Sequence, residues 1–268
     1  MRIASLNAWG GAMYPELAEW LSHSSFDVLC LQEVTATPGL SGWTTFADGE
    51  RTLPQRADLF ADVRALLPRH QPLFVTSDAG PVTDPDGGRH RQAFGLATFV
   101  AEHLMILGAR VSSVHGTFTD HDTWPRDDRP RIGCALRIVE PGAARAVTLV
   151  HVHGVRDGRG KADTPERLAQ ARRIADLVQD VREPGDLVVV CGDLNLLPDS
   201  ETFDILAAIG LVDLVGAADT RTSRYPKPVR HASYVLVSDL RAVAGFDIVV
   251  EPEVSDHRAL VLEVAQPQ

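Results

Sequence analysis

The chain has 268 residues, 44% of them apolar, which is enough for a sizeable core in one large β-sandwich. Its formal charge of −10 and pI near 5.4 argue against a broad affinity for duplex nucleic acid, which relies on many Lys and Arg contacts to phosphate. A local basic pocket stays compatible with that balance. In chain order, apolar or alternating runs predict strands at 2–7, 27–32, 72–76, 93–100, 104–114, 132–139, 146–152, 186–191, 233–238, 246–250 and 258–264. Helical periodicity appears at 14–21 and 56–67. Thr164 and Pro165 form a cap and first position for a long helix, and a shorter one spans 199–208 with Asp199 or Ser200 as cap. The long loops are 78–92, 115–131, 154–163 and 216–231. Many strands with few helices between them predict two packed sheets with helices outside. Cys30, Cys134 and Cys191 all lie in apolar runs and read as small buried hydrophobes of a reducing compartment. No signal-peptide pattern opens the chain, and no apolar stretch is long enough to cross a bilayer, so a cytoplasmic location is expected. No linker or repeat divides the sequence, so 1–268 is expected to be one domain.

Several of these strands end in chemistry. Leu187 to Cys191 reads as a strand buried on both faces and runs into Gly192-Asp193-Leu194-Asn195. If the extended chain continues, Asp193 and Asn195 point to the same side. The first strand runs into Asn7 and Trp9, and the second into Gln32-Glu33. Another reaches His151-Val152-His153, whose two imidazoles share a face by strand alternation. Ser255-Asp256-His257 precedes the last apolar strand. Five polar clusters at the ends of buried strands predict one polar site on one rim of the sheets.

These motifs, in this order from Asn7 to His257, resemble the endonuclease/exonuclease/phosphatase superfamily, the DNase I-like fold. The resemblance implies an α/β fold of the α+β kind, a four-layer α/β/β/α sandwich of two mixed β-sheets. It also implies Mg2+ or Mn2+, with Glu33 as the main metal ligand, Asn7 close to the metal and Asp256 a further ligand. Magnesium takes oxygen ligands, usually one or two carboxylates plus water and substrate. Asp193 would orient or deprotonate the attacking water, Asn195 would hold water or phosphate, and His257 would contact the scissile phosphate or act as base. His151 falls where relatives place a residue that contacts phosphate or protonates the leaving group. His153 reads as pocket lining, and Arg131 as a weaker candidate for reaching substrate phosphate.

One departure stands out. Relatives carry an Asp in the strand before the last, where it orients the catalytic His. Here Ser233 occupies that position, and a hydroxyl brings no negative charge to imidazolium. Arg129, His90, Arg91, Lys161 and Asp163 are smaller candidates on loops. The 216–231 segment holds Arg221, Arg224, Lys227 and Arg230 against Asp219, a positive stretch suited to an anionic substrate. The expected function is a divalent-metal-dependent hydrolase of phosphomonoesters or phosphodiesters, on a small or lipid-derived substrate and without an obligate protein partner. The alternatives are a nuclease on nucleic-acid ends or short oligonucleotides, and a degenerate module that binds a phosphorylated ligand without turnover.

Overall fold

The structure, a computed structural model, describes residues 1–265. In chain order the elements are β1 (Arg2–Asn7), α1 (Tyr14–His23), β2 (Val28–Ala36), β3 (Trp43–Ala47), β4 (Thr52–Arg56), α2 (Leu59–Leu66), β5 (His70–Thr83), β6 (Arg89–Ala101), β7 (Met105–His115), β8 (Arg131–Val139), β9 (Val147–His153), α3 (Pro165–Val181), β10 (Leu187–Asp193), α4 (Glu201–Ala207), β11 (Val212–Asp213), β12 (Ser233–Val237), β13 (Val243–Ile248) and β14 (Leu260–Val264). The helix starts carry side-chain caps where the sequence offers them. Asp58, Thr164 and Ser200 accept from the N–H groups of Ala61, Arg167 and Thr202, and Pro165 opens α3.

The strands form two mixed sheets. The larger runs β13-β14-β1-β2-β6-β5-β3-β4, and the smaller runs β11-β12-β10-β9-β8-β7. Alternation along each strand assigns the layers. Ile3, Val28, Cys30, Leu96 and Val100 meet Cys134, Leu136, Leu149, Val189 and Cys191 between the sheets. The opposite face of the larger sheet, with Ala4, Leu6, Leu29, Leu31 and Phe99, packs on Leu17, Trp20, Leu59 and Val63 of α1 and α2. Helix α3 covers β7, β8 and β9 on the smaller sheet through Ile174, Leu177 and Val178. The result is the expected α/β/β/α sandwich.

The differences from the sequence reading have local causes. The expected loop 78–92 is instead the end of a long hairpin, because β5 and β6 stay paired out to Thr83 and Arg89. Its polar residues hide the strand period. Strands β3, β4 and β11 carry no buried run to announce them, and Pro54 is tolerated in β4 because that strand lies at the sheet edge.

Gly95 holds the centre of the larger sheet. It pairs with Val34 on one side and Thr76 on the other, and both neighbouring strands shift register beside it. A Cβ here would lie 1.9 Å from the Val75 carbonyl oxygen, so only glycine fits between the two bulges. One of those bulges carries Glu33. Gly95→Ala is expected to lower unfolding stability by about 3 kcal/mol, measured by chemical denaturation, because the backbone must move to admit the methyl group.

Candidate active site

Two parallel strand pairs deliver the site. β1 and β2 run parallel with Asn7 opposite Gln32, and β9 and β10 run parallel with His153 opposite Asp193. Parallel neighbours end at the same edge, so each pair places its terminal polar residues side by side. Gly192 permits the approach in the smaller sheet. Its φ is 143°, and a Cβ would meet the Val152 carbonyl oxygen at 1.8 Å.

The two sheets meet at Asp193. Asn7 Nδ2 donates to Asp193 Oδ2 at 2.9 Å, and the Asn195 N–H donates to Asp193 Oδ1 at 3.1 Å. His257 Nε2 stands 3.4 Å from Asp193 Oδ2, and His153 Nε2 stands 3.8 Å from both Asp193 Oδ2 and Glu33 Oε1. Ser255 Oγ donates to the Asn7 carbonyl at 2.6 Å and pins the 255–257 segment to β1. Ser233 Oγ lies 3.0 Å from His257 Nδ1, the contact that the resemblance assigns to an Asp. Burial pushes the His153 and His257 imidazoles well below their usual pKa, so both are neutral near pH 7.

Backbone strain collects here. Trp9, Glu33 and Asn195 have φ of 51°, 55° and 56°, and among the described residues Asp128 is the one other non-glycine with positive φ. Glu33 owes its conformation to the β2 bulge, which turns its carboxylate out of the ladder and toward the rim.

Cations surround this acidic centre. Arg221 Nη1 donates to Asp256 Oδ2 at 2.6 Å, and the Arg221 guanidinium lies 4.0 Å over the Tyr225 ring. Arg131 is 5% exposed, and its Nε and Nη1 find no hydrogen-bond partner among the described residues. Its charge interacts with those of Glu33 and Asp193, and burial lowers its pKa to about 10. Lys161 donates to the His231 carbonyl, interacts with Asp193 and Asp256, and is lowered by burial to about 8.

The structure therefore brings Asn7, Glu33, Arg131, His153, Asp193, Asn195, Ser233, Asp256 and His257 together. It changes the reading of several. His151 lies one ladder step deeper, opposite Cys191, where Nε2 accepts from Gln32 Nε2 at 2.7 Å and Nδ1 faces Thr98 Oγ1 at 3.1 Å. Burial lowers its pKa to about 3, and the position beside Asp193 belongs to His153. Asn195 does not continue the strand, which ends at Asp193, and its left-handed backbone turns it back over that carboxylate. Asn7 is engaged at both ends of its carboxamide, since Oδ1 accepts from the Trp9 N–H at 3.0 Å. It orients Asp193, and Oδ1 keeps one further lone pair.

Arg129 does not reach the site. It forms a buried two-point pair with Asp78 at 2.7 and 3.1 Å under the rings of Phe94 and Trp124. His90 and Arg91 pair with Asp84 and Asp120. The 216–231 segment is less positive than its sequence suggests, because Arg230 pairs with Asp219, Arg224 with Glu253 and Arg221 with Asp256. Sequence reasoning missed Arg156, whose charge interacts with Glu33. Its place three residues after His153 was the available signal.

The donor set suits a hard divalent cation. Among the described residues no three His, Cys, Asp or Glu side chains stand ready as a ligand cage. Magnesium does not require one, since it is commonly held by one or two carboxylates with water and substrate. Burial, with the nearby charges of Glu33 and Asp193, raises Asp256 to about 7 against the opposing pull of Arg221. A cation held at Glu33 would relieve such crowding of carboxyl groups.

No curated protein gives a significant sequence match. Among solved structures, the endonuclease/exonuclease/phosphatase from Bacteroides vulgatus is 15% identical with a TM-score of 0.68, covering 99% of this chain and 98% of that one. A mannosyl-6-phosphatase from Bacteroides thetaiotaomicron is 15% identical at a TM-score of 0.65, with 99% of each chain covered. The human Nocturnin catalytic domain with bound sulfate is 16% identical at 0.64, covering 100% of this chain and 94% of that one. Identities this low carry the fold alone. The family model is more direct: it spans residues 4–257, and the chain belongs to the Endonuclease/Exonuclease/phosphatase family.

Proposed function

We propose that the protein is a divalent-metal-dependent phosphoesterase acting on a small substrate, with Asp193 as the base toward water. Members of the family are typically metal-dependent phosphoesterases, which makes this chemistry the natural starting point. The observation that carries the reading is the Asp193 centre itself. One carboxylate is oriented by Asn7 from the other sheet and by the Asn195 N–H, with two neutral imidazoles within 3.8 Å. Hydrolysis needs such a positioned acceptor, donors for the phosphoryl charge and help for the leaving oxygen.

Glu33, with Asp256 near it, would hold the metal, which supplies positive charge to the phosphoryl oxygens. The chain's own groups do the rest. Asp193 accepts the proton of water as the water oxygen bonds to phosphorus; the bond to the leaving oxygen breaks, and that oxygen keeps the electron pair and takes a proton from solvent. His257, fixed through Nδ1 by Ser233, presents Nε2 to the reacting group. His153 stands between Glu33 and Asp193, 3.8 Å from each, and would line the space beside a metal held at Glu33. Burial keeps His257 neutral and Ser233 brings no negative charge to offset it, which leaves the proton-accepting role to Asp193.

Long duplex DNA is disfavoured as substrate by the net charge of −10 and by the paired arginines of the 216–231 segment. The non-catalytic alternative rests on Ser233, yet that hydroxyl still holds the imidazole in register.

Three outcomes test the reading. With Mg2+ or Mn2+ present, Glu33→Ala and Asp193→Ala should each lower kcat/KM on the best of a panel of phosphate esters by about 1000-fold, with the fold intact by circular dichroism. Ser233→Asp should raise the rate and the imidazole pKa of His257, the latter read by NMR titration; an unchanged pKa would refute the role given to residue 233. Lys161 is charged below about 8 and neutral above it, so KM should climb as pH rises through 8. Lys161→Met should flatten that limb in a KM–pH profile.

A further inference from the structure

The charges around the site do not balance. Arg221 is matched by Asp256 at 2.6 Å, but Arg131, Arg156 and Lys161 make no ion pair among the described residues. Arg156 gives its one hydrogen bond to the Arg126 carbonyl at 3.2 Å, and Lys161 gives its own to the His231 carbonyl. These three approach from separate segments: the start of β8, the turn after β9, and the loop before α3. Their charges interact with Glu33, with Asp193 or with both. Arg131 is the telling member. A guanidinium that is 5% exposed, with Nε and Nη1 unpartnered and only the charges of Asp78, Glu33 and Asp193 to offset it, is under-satisfied, and an anion at its accessible edge would complete it.

A cavity of about 580 Å3 opens beside Arg156. His115, the cross-strand partner of Arg131, forms one border. Val155 and Arg156, two and three residues past His153, form another. The remaining walls include Asp127, Asp157 and Thr164, and Val155 is the one apolar side chain among the lining residues. A volume of this size suits a small molecule. An acyl chain there would strip water from charged walls and return nothing, whereas hydroxyl groups would hydrogen-bond to carboxylate and guanidinium edges.

We propose that the substrate is a hydrophilic phosphomonoester, a sugar or polyol phosphate whose terminal phosphate is gripped by Arg131, Arg156 and Lys161 while its hydroxylated leaving group occupies the adjoining cavity. The proposal rests on the phosphoesterase reading and narrows its substrate. A terminal phosphate carries close to two negative charges near neutral pH and three free acceptor oxygens. A diester carries one charge and two free oxygens, and needs room for a second substituent where these cations stand. Arg131, Arg156 and Lys161 outnumber the unpaired carboxylates of Glu33 and Asp193, and a divalent ion held at Glu33 would add further positive charge, so the dianion is favoured.

The test measures turnover of glucose 6-phosphate and glycerol 3-phosphate against bis(4-nitrophenyl) phosphate, a short oligonucleotide and phosphatidic acid in vesicles, each with Mg2+ and with Mn2+. The hydrophilic monoesters should be turned over best. Arg131→Gln and Arg156→Gln should each lower kcat/KM on them by about 10- to 100-fold and weaken competitive inhibition by inorganic phosphate. Arg156 lies at the partly exposed border, so its variant reports even where Arg131→Gln fails to fold. Faster turnover of the diester, the oligonucleotide or the lipid would overturn the proposal and leave the phosphoesterase reading standing. So would monoester kinetics within about twofold of wild type in both variants. Inertness toward every substrate with both metals would overturn the phosphoesterase reading itself, and this inference with it.

Discussion

The hydrogen bond from Asn7 to Asp193, 2.9 Å long and spanning 186 residues of sequence, is the interaction on which the site depends. It joins the first strand of one sheet to the central strand of the other at the rim where both parallel pairs end. A neutral donor to a carboxylate in a buried setting contributes about 1.5–3 kcal/mol. Its larger effect is geometric, because it fixes the distance between sheets at the point where the carboxylate must face its substrate. One step deeper, Gln32 and His151 repeat the crossing at 2.7 Å, so the rim stands on a second polar contact before the apolar core begins. Ser255 ties the last polar segment to the same Asn7, through its carbonyl.

Around that bond the molecule concentrates what is unfavourable elsewhere. Three residues with positive φ, several buried carboxyls, two imidazoles held neutral and an unpartnered guanidinium occupy one end of the sandwich. Each is costly by itself. They persist because the surrounding sheets, with the Gly95 and Gly192 approaches, over-determine the backbone. The apolar layers between sheets and under the helices supply the stability against which such strain is held.

The same logic explains which charges belong to the site. Most arginines of the loops are matched locally: Arg129 by Asp78, Arg230 by Asp219, and Arg159 by Asp157. Arg131, Arg156 and Lys161 are not, and their charges interact with Glu33, with Asp193 or with both. A surface charge without a partner says little, since water solvates it. A buried one is informative because protein or ligand must complete it.

The apolar runs and the polar residues at their ends were legible in the sequence, because strand periodicity is local and a buried strand that ends in Gly-Asp-Leu-Asn has few other uses. Ser233 was legible too, and it stands 3.0 Å from His257 as expected. The hairpin at 78–92 was not, since edge and hairpin strands carry polar residues that erase the period. Alternation put His151 and His153 on one face, but the catalytic role was expected of His151, whereas the parallel register of β9 against β10 sets His153 beside Asp193. Alternation misjudged Asn195, because the backbone leaves the strand after Asp193. The sequence by itself determined the sandwich and the set of side chains available for chemistry. Tertiary structure alone decided which of them are engaged by neighbours and which face the substrate, because charge pairing and burial depend on partners far away along the chain.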